Sequence, residues 1–110
     1  MYVEACEQLE QLTGYQDICE GLPAPIIILM KMEPKMYGYY RPGKPYVYIN
    51  IDMDNQYGTA VHEMVHYILY AKIPETSRCA GERLARIAKA NYSGEKYNPA
   101  WRDWYNCLPG

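Results

Sequence analysis

The sequence predicts an α+β domain with an N-terminal helix, a three-stranded and mainly antiparallel sheet, and further helices after the sheet. Three observations indicate this class. Apolar residues recur at helical spacing near the N-terminus and after residue 54, the segments between are β-branched or alternate in polarity, and turn residues separate them. The order α-β-β-β-α-α-α is typical of α+β domains. The chain has 110 residues, enough for one small core, so we expect one domain over residues 1–110.

The first helix and the strands are predicted from local patterns. Apolar side chains recur at helical spacing in residues 2–12, and Gly14 ends that helix. Residues 26–32 are apolar and β-branched, which is typical of a buried strand. A turn separates residues 36–40 from residues 46–51, so these two strands should pair as a hairpin. Alternation in the last strand predicts a core-facing set: Val47, Ile49 and Ile51.

The second half of the chain is predicted to hold three helices. The first is capped by Asp54 or Asn55 and ends before Pro74. The second begins within residues 75–77 and ends at Gly94, with an apolar stripe that includes Ala80, Leu84, Ile87 and Ala88. The third spans residues 100–107 and has an aromatic face: Trp101, Trp104 and Tyr105.

Both histidines of the chain lie in one H-E-x-x-H segment on the first of these helices. Residues four apart point to the same side of a helix, so His62 and His66 can bind one metal ion. Glu63 lies about 100° around the helix from His62, near a water held by that metal. The helix is expected to be anchored in the core by an adjoining apolar arc: Val61, Met64, Val65, Ile68 and Leu69.

A catalytic zinc site needs a third protein ligand and an open position for water. No further histidine exists, so we expect a carboxylate, and a cysteine thiolate is less favoured. We favour Glu82, because a returning helix could place it opposite the histidines and Gly81 would let the two helices approach closely. The alternative is an exposed Glu82 paired with Arg86 one turn later. The downstream carboxylates considered are Glu75, Glu82, Glu95 and Asp103.

The chain has four cysteines, whose oxidation state would indicate the cellular compartment of the protein. No two of them form a C-x-x-C pair, so a four-cysteine zinc site is not expected. Four cysteines can form two disulfides in three different pairings. Disulfides would indicate a secreted or periplasmic protein, whereas four reduced thiols would indicate a cytoplasmic one. The first residues lack the basic start and apolar core of a signal peptide, so a secreted protein would have lost its leader. The cysteines are Cys6, Cys19, Cys79 and Cys107.

Charge and hydropathy limit the partners. The net charge is −2, and basic and acidic residues are scattered, so we expect no nucleic-acid partner. No stretch approaches the roughly 20 apolar residues of a membrane helix. We expect a monomer.

On these residues the chain resembles the zincin metallopeptidases, more narrowly the glutamate zincins (gluzincins), and small zincin-like domains of bacteria and phages. The resemblance covers residues 36–90 and rests on the segment 59–66, Glu82 downstream, a tyrosine-rich hairpin and the segment 79–83. It implies Zn²⁺ bound by His62, His66 and Glu82. It also implies hydrolysis of peptide bonds in a peptide or protein substrate, with Glu63 as the general base that activates water.

The resemblance implies two further features of a peptidase. A tyrosine should stabilise the oxyanion, and the strand over residues 46–51 should be the edge strand that pairs with an extended substrate. Two other functions stay open: a non-catalytic zincin-like module that binds a partner protein through its tyrosine-rich surface, and a disulfide-linked interaction protein without metal. The candidate tyrosines are Tyr37, Tyr39, Tyr40, Tyr48 and Tyr70.

Overall fold

Three helices and three strands follow one another in the computed structural model, which describes residues 1–95. Helix α2 packs against strands β2 and β3, and helices α1 and α3 both pack against α2. The predicted α+β class is confirmed. The elements are α1 (Tyr2–Thr13), β1 (Ile26–Met30), β2 (Gly38–Tyr40), β3 (Tyr46–Asn50), α2 (Gln56–Lys72) and α3 (Arg78–Ser93).

The sheet is mixed, and the prediction of a mainly antiparallel sheet is wrong. Its strand order is β1-β3-β2, with β1 and β3 parallel and β2 and β3 antiparallel. The predicted β2–β3 hairpin is present. β3 lies between the other two strands and runs in the same direction as β1. Hairpin formation depends on a local turn, whereas the β1–β3 pairing depends on tertiary packing.

Strand β3 contributes the core side chains of the sheet. Val47 is 0% and Ile49 is 1% exposed, as predicted, but the strand ends at Asn50 and Ile51 is exposed. Asn50 is buried although it belongs to the tyrosine-bearing side of the alternation. Its Nδ2 donates to the Met36 carbonyl at 2.7 Å, and its Oδ1 accepts from the backbone of the following loop at 3.0 Å.

Strand β1 is an edge strand, so the prediction that it is buried is wrong. Ile26 is 56% and Leu29 is 58% exposed. A short apolar run predicts a strand but does not say which of its faces other elements cover. β1 therefore contributes pairing to β3 and little to the core.

Helix α1 begins at Tyr2 and ends at Gly14, whose φ of 78° is the left-handed conformation that suits glycine. Cys6 on this helix forms a disulfide with Cys19 in the following loop. Of the three possible pairings of the four cysteines, one contains this disulfide. Cys107 lies outside the described residues, as do the predicted C-terminal helix over residues 100–107 and its aromatic face.

Helices α2 and α3 carry the predicted caps. Asn55 caps α2 by accepting from the Gly58 amide at 3.2 Å, and Ser77 caps α3 by accepting from the Ala80 amide at 3.1 Å. The predicted apolar arc of α2 is buried throughout. The predicted stripe of α3 is only partly right, because Ala80 is exposed. The buried positions of α3 are instead small residues: Gly81, Ala85, Ala88 and Ala90. Within residues 1–95, no helix is long and apolar enough to cross a membrane.

Candidate metal centre

Two helices bring three potential ligands together. His62 and His66 lie one turn apart on α2, with ring centroids 5.1 Å apart, and Glu82 faces them from α3. His62 Nε2 is 3.4 Å from Glu82 Oε2, and His66 Nε2 is 2.8 Å from Glu82 Oε1. One ligand atom from each residue lies within 4.8 Å of the others, so the group could hold a metal ion.

One of these separations has the length expected between two ligands of a tetrahedral metal site. Two ligands about 2.1 Å from one ion in tetrahedral geometry lie about 3.4 Å apart. The His62–Glu82 distance of 3.4 Å matches that value. The His66–Glu82 distance is shorter than that value, at 2.8 Å. An ion held by this group would lie between the Glu82 carboxylate and the two imidazoles.

Glu82 is held in the site rather than left on the surface. Its side chain is 18% exposed, and Arg86 Nε approaches Oε2 to 3.9 Å from the next turn of α3. The pairing with Arg86 thus accompanies the contacts with both histidines. Among the other candidate carboxylates, Glu75 is exposed in the turn before α3 and Glu95 is exposed after it, while Asp103 lies outside the described residues.

Gly81 does not have the role that the sequence suggested. A Cβ at this position would lie 3.8 Å from its nearest neighbours, His66 Nδ1, Leu69 Cδ1 and Thr76 Cγ2, which is ordinary contact. The helices therefore leave room for alanine there. Gly38 on β2 is one of the glycines that close packing requires, because its Cβ would lie 2.6 Å from the Tyr48 carbonyl oxygen.

Glu63 is a buried carboxylate beside the three ligands. It is 7% exposed, and its Oε2 has no hydrogen-bond partner within residues 1–95. Burial raises its pKa, although the charges of His62 and His66 oppose that rise. A buried carboxylate with an unmatched oxygen is costly for stability, which favours a role in binding or chemistry.

The ligand group is electrostatically coupled. Burial alone would lower the pKa of His66, but its contact with Glu82 and the charge of Glu63 outweigh burial and raise the pKa. Burial would likewise raise the pKa of Glu82, but contacts with both histidines lower it well below the usual range. Without metal, Glu82 is therefore ionised and stabilises the protonated form of His66.

Two clefts meet at this centre, and in the described part of the chain the residues that line both are Gly38, Glu63 and Glu82. The first, about 540 Å³, we name the tyrosine cleft. The second, about 650 Å³, we name the charged cleft. The tyrosine cleft includes His66 and is lined by Tyr39, Tyr40, Leu69, Tyr70 and Ile73, among others. The charged cleft includes His62 and is lined by Lys35, Asp54, Arg86, Lys89 and Glu95, among others.

Four of the five candidate tyrosines line these clefts. Tyr39, Tyr40 and Tyr70 line the tyrosine cleft, and Tyr37 lines the charged cleft. Tyr48 lines neither and stacks on Tyr39 with centroids 4.5 Å apart. Tyr40 packs against Tyr70 with centroids 6.2 Å apart, and its hydroxyl accepts from a turn amide.

The expectation that residues 46–51 form the edge strand is wrong, because β3 is the central strand of the sheet. Among residues 1–95, the edge strand that lines the candidate metal centre is β2. Its residues Gly38, Tyr39 and Tyr40 line the tyrosine cleft. Local alternation predicted the strand correctly but not its position in the sheet.

Sequence reasoning singled out neither Lys89 nor Thr59 as part of the site. Both line the charged cleft, and Thr59 is a buried residue one helical turn before Glu63. The signal was present in the spacing: Glu82, Arg86 and Lys89 are at i, i+4 and i+7 and share one face of α3. This face points to the metal centre at Glu82 and to the charged cleft beyond it.

The candidate metal centre rests on three residues of this chain, His62, His66 and Glu82. Comparisons with protein-family models, with curated proteins and with solved structures found no match for this chain.

Proposed function

We propose that this protein is a zinc-dependent hydrolase that cleaves peptide (amide) bonds, with His62, His66 and Glu82 as metal ligands and Glu63 as general base. The observation that carries the proposal is the buried Glu63 carboxylate beside a group of three ligands. A structural zinc site closes its coordination with four ligands and has no use for a base. A two-histidine, one-carboxylate set leaves a position for water, as hydrolytic zinc sites do.

The chemistry divides between the metal and the protein. Bound Zn²⁺ lowers the pKa of a water toward 7 and polarises a carbonyl group. Glu63 accepts the proton of the attacking water and delivers it to the leaving amine nitrogen. Burial supports this role, because a raised pKa makes the carboxylate a stronger proton acceptor. A tyrosine hydroxyl that lines the clefts can donate a hydrogen bond to the oxyanion of the substrate.

The substrate would bind as an extended peptide along β2. An edge strand pairs with a peptide through backbone hydrogen bonds, and β2 has an open edge beside the metal centre. The Cys6–Cys19 disulfide is compatible with an oxidising compartment, so we propose a secreted or periplasmic protein.

The proposal is tested with Glu63→Gln, which preserves the shape of the side chain and removes the base. The zinc-bound wild type is incubated with a mixture of peptides derived from a proteome, and products are identified by mass spectrometry. We expect cleavage by the wild type, a loss of at least about 100-fold in rate in the variant, and an unchanged zinc content. Equal cleavage by both proteins, or no cleavage by the wild type, would overturn the proposal.

The second function is a non-catalytic binding module, which predicts that the wild type cleaves no peptide. A module that keeps zinc only for stability would bind a partner with or without Glu63, and Glu63→Gln would change neither zinc content nor binding. The buried, unmatched carboxylate favours the hydrolase.

A further inference from the structure

The interior of the charged cleft is cationic outside the metal centre. Lys35 is exposed at its rim, whereas Arg86 and Lys89 are half-buried. The two carboxylates that line this cleft beyond the centre, Asp54 and Glu95, are exposed. A ligand that enters the charged cleft therefore meets positive charge next to the metal centre.

Lys89 is a half-buried cation of this cleft. Its Nζ lies 5.0 Å from the centroid of the Tyr37 ring. Within residues 1–95, no carboxylate oxygen lies within ion-pair distance of it. Burial lowers the pKa of Lys89, although the charges of Glu95, Asp54 and Glu63 oppose this effect. Partial burial removes some of the hydration of this ammonium group, and no carboxylate forms an ion pair with it, so an incoming carboxylate would be bound favourably.

The tyrosine cleft is more apolar. Its wall beyond the metal centre consists mainly of tyrosine rings and aliphatic side chains such as Leu69 and Ile73, and its polar side chains outside the centre include Arg78. Glu63 lines both clefts, so the position at which it would activate water lies at their junction. A peptide that crosses this junction would place groups from the two sides of its scissile bond in different clefts.

We propose that Lys89, with Arg86 beside it, forms a carboxylate-binding subsite that selects substrates with a negative charge on one side of the scissile bond and an apolar or aromatic side chain on the other. The inference rests on the proposed hydrolase function, for which it names the substrate class. The carboxylate is either an acidic side chain or the free C-terminus of the peptide. Both offer the same oxygen acceptors to an ammonium group.

Measuring the affinity for short peptides tests the subsite independently of catalysis. Three probes are titrated into zinc-bound Glu63→Gln protein: acetyl-Tyr-Glu-amide, acetyl-Tyr-Gln with a free C-terminus, and acetyl-Tyr-Gln-amide, which is neutral. We expect one anionic probe to bind about tenfold more tightly than the neutral one, as a charge-assisted contact provides. Which probe it is identifies the source of the carboxylate.

Variants at Lys89 separate its contribution from that of the metal. In Lys89→Met the preference for the anionic probe should disappear, and in Lys89→Arg it should persist, with zinc content unchanged in both. Equal affinity for all three probes would overturn the inference, as would a preference that survives in Lys89→Met, since the metal would then bind the carboxylate. Failure of the hydrolase proposal appears separately, as absence of peptide cleavage by the wild type.

Discussion

His66 Nε2 lies 2.8 Å from Glu82 Oε1 across the interface between α2 and α3. This contact joins the two helices that carry the candidate ligands. Neither residue is near the other in sequence, so the centre exists only when α3 has packed on α2. Metal binding and the packing of these helices should therefore stabilise each other.

The first prediction concerns the three ligands. His66→Ala and Glu82→Ala should each reduce zinc affinity by at least about 100-fold, because loss of residues that merely orient ligands already costs 10- to 100-fold. Zinc content after purification, measured by mass spectrometry, should fall from about one per chain, the stoichiometry of a single-ion site. The control is Glu75→Ala, which removes an exposed carboxylate. Full zinc binding by Glu82→Ala would rule out Glu82 as a ligand.

The second prediction is a pH dependence of zinc affinity. In the metal-free protein the pKa of His66 is raised above 6.5, because Glu82 and Glu63 outweigh burial. Below that pKa His66 carries a proton that zinc must displace. The apparent Kd should therefore rise about tenfold for each pH unit below the pKa of His66, from this proton alone.

Glu63→Gln provides the control for this pH dependence. The variant removes one negative neighbour of His66 and should lower its pKa. The pH at which zinc affinity begins to weaken should then be lower than in the wild type. Calorimetric titration with zinc at several pH values measures both curves. Identical curves would show that the Glu63 charge does not act on His66.

The correct predictions concern residues that are close to one another in sequence. His62 and His66 share a helix face by virtue of four-residue spacing, and the apolar arc beside them predicts how that helix is anchored. Glu82 required the further assumption that the next helix returns antiparallel to α2. These predictions depend on helical geometry and one short turn.

The errors concern contacts between segments distant in sequence. The exposure of β1 and the central position of β3 depend on which strands pair, and local alternation does not contain that information. Lys89 was not identified because a lone lysine on a helix is usually solvated. Its importance arises from Tyr37 and Glu63, which the fold brings to the same cleft.

The third prediction concerns the disulfide. Cys6 and Cys19 are 13 residues apart in sequence, and replacing both by serine should lower the free energy of unfolding by about 3 kcal/mol, mainly because the unfolded chain gains entropy. Urea unfolding monitored by circular dichroism measures the change. Zinc affinity under native conditions should stay the same, because α1 supplies none of the three ligands. A loss of zinc binding in the folded variant would show that α1 positions the centre.

The fourth prediction compares two glycines beside the centre. Gly81→Ala should raise the free energy of unfolding by about 0.5–1 kcal/mol, because alanine suits a helix interior better and the added Cβ would make only ordinary contacts at 3.8 Å. Gly38→Ala should lower the free energy of unfolding by about 1–3 kcal/mol, because its Cβ would lie 2.6 Å from the Tyr48 carbonyl oxygen and 2.9 Å from Thr59 Cγ2.

The two glycine variants serve as each other's control in thermal and urea unfolding. Gly81→Ala should also retain full zinc content, since its Cβ would leave the His66 ring in place. Gly38→Ala should shift β2 away from α2 and so change the shape of both clefts that Gly38 lines. Peptide binding should therefore weaken in Gly38→Ala even in conditions where it is fully folded. If Gly38→Ala were as stable as the wild type, the close approach of β2 to β3 and α2 would not hold.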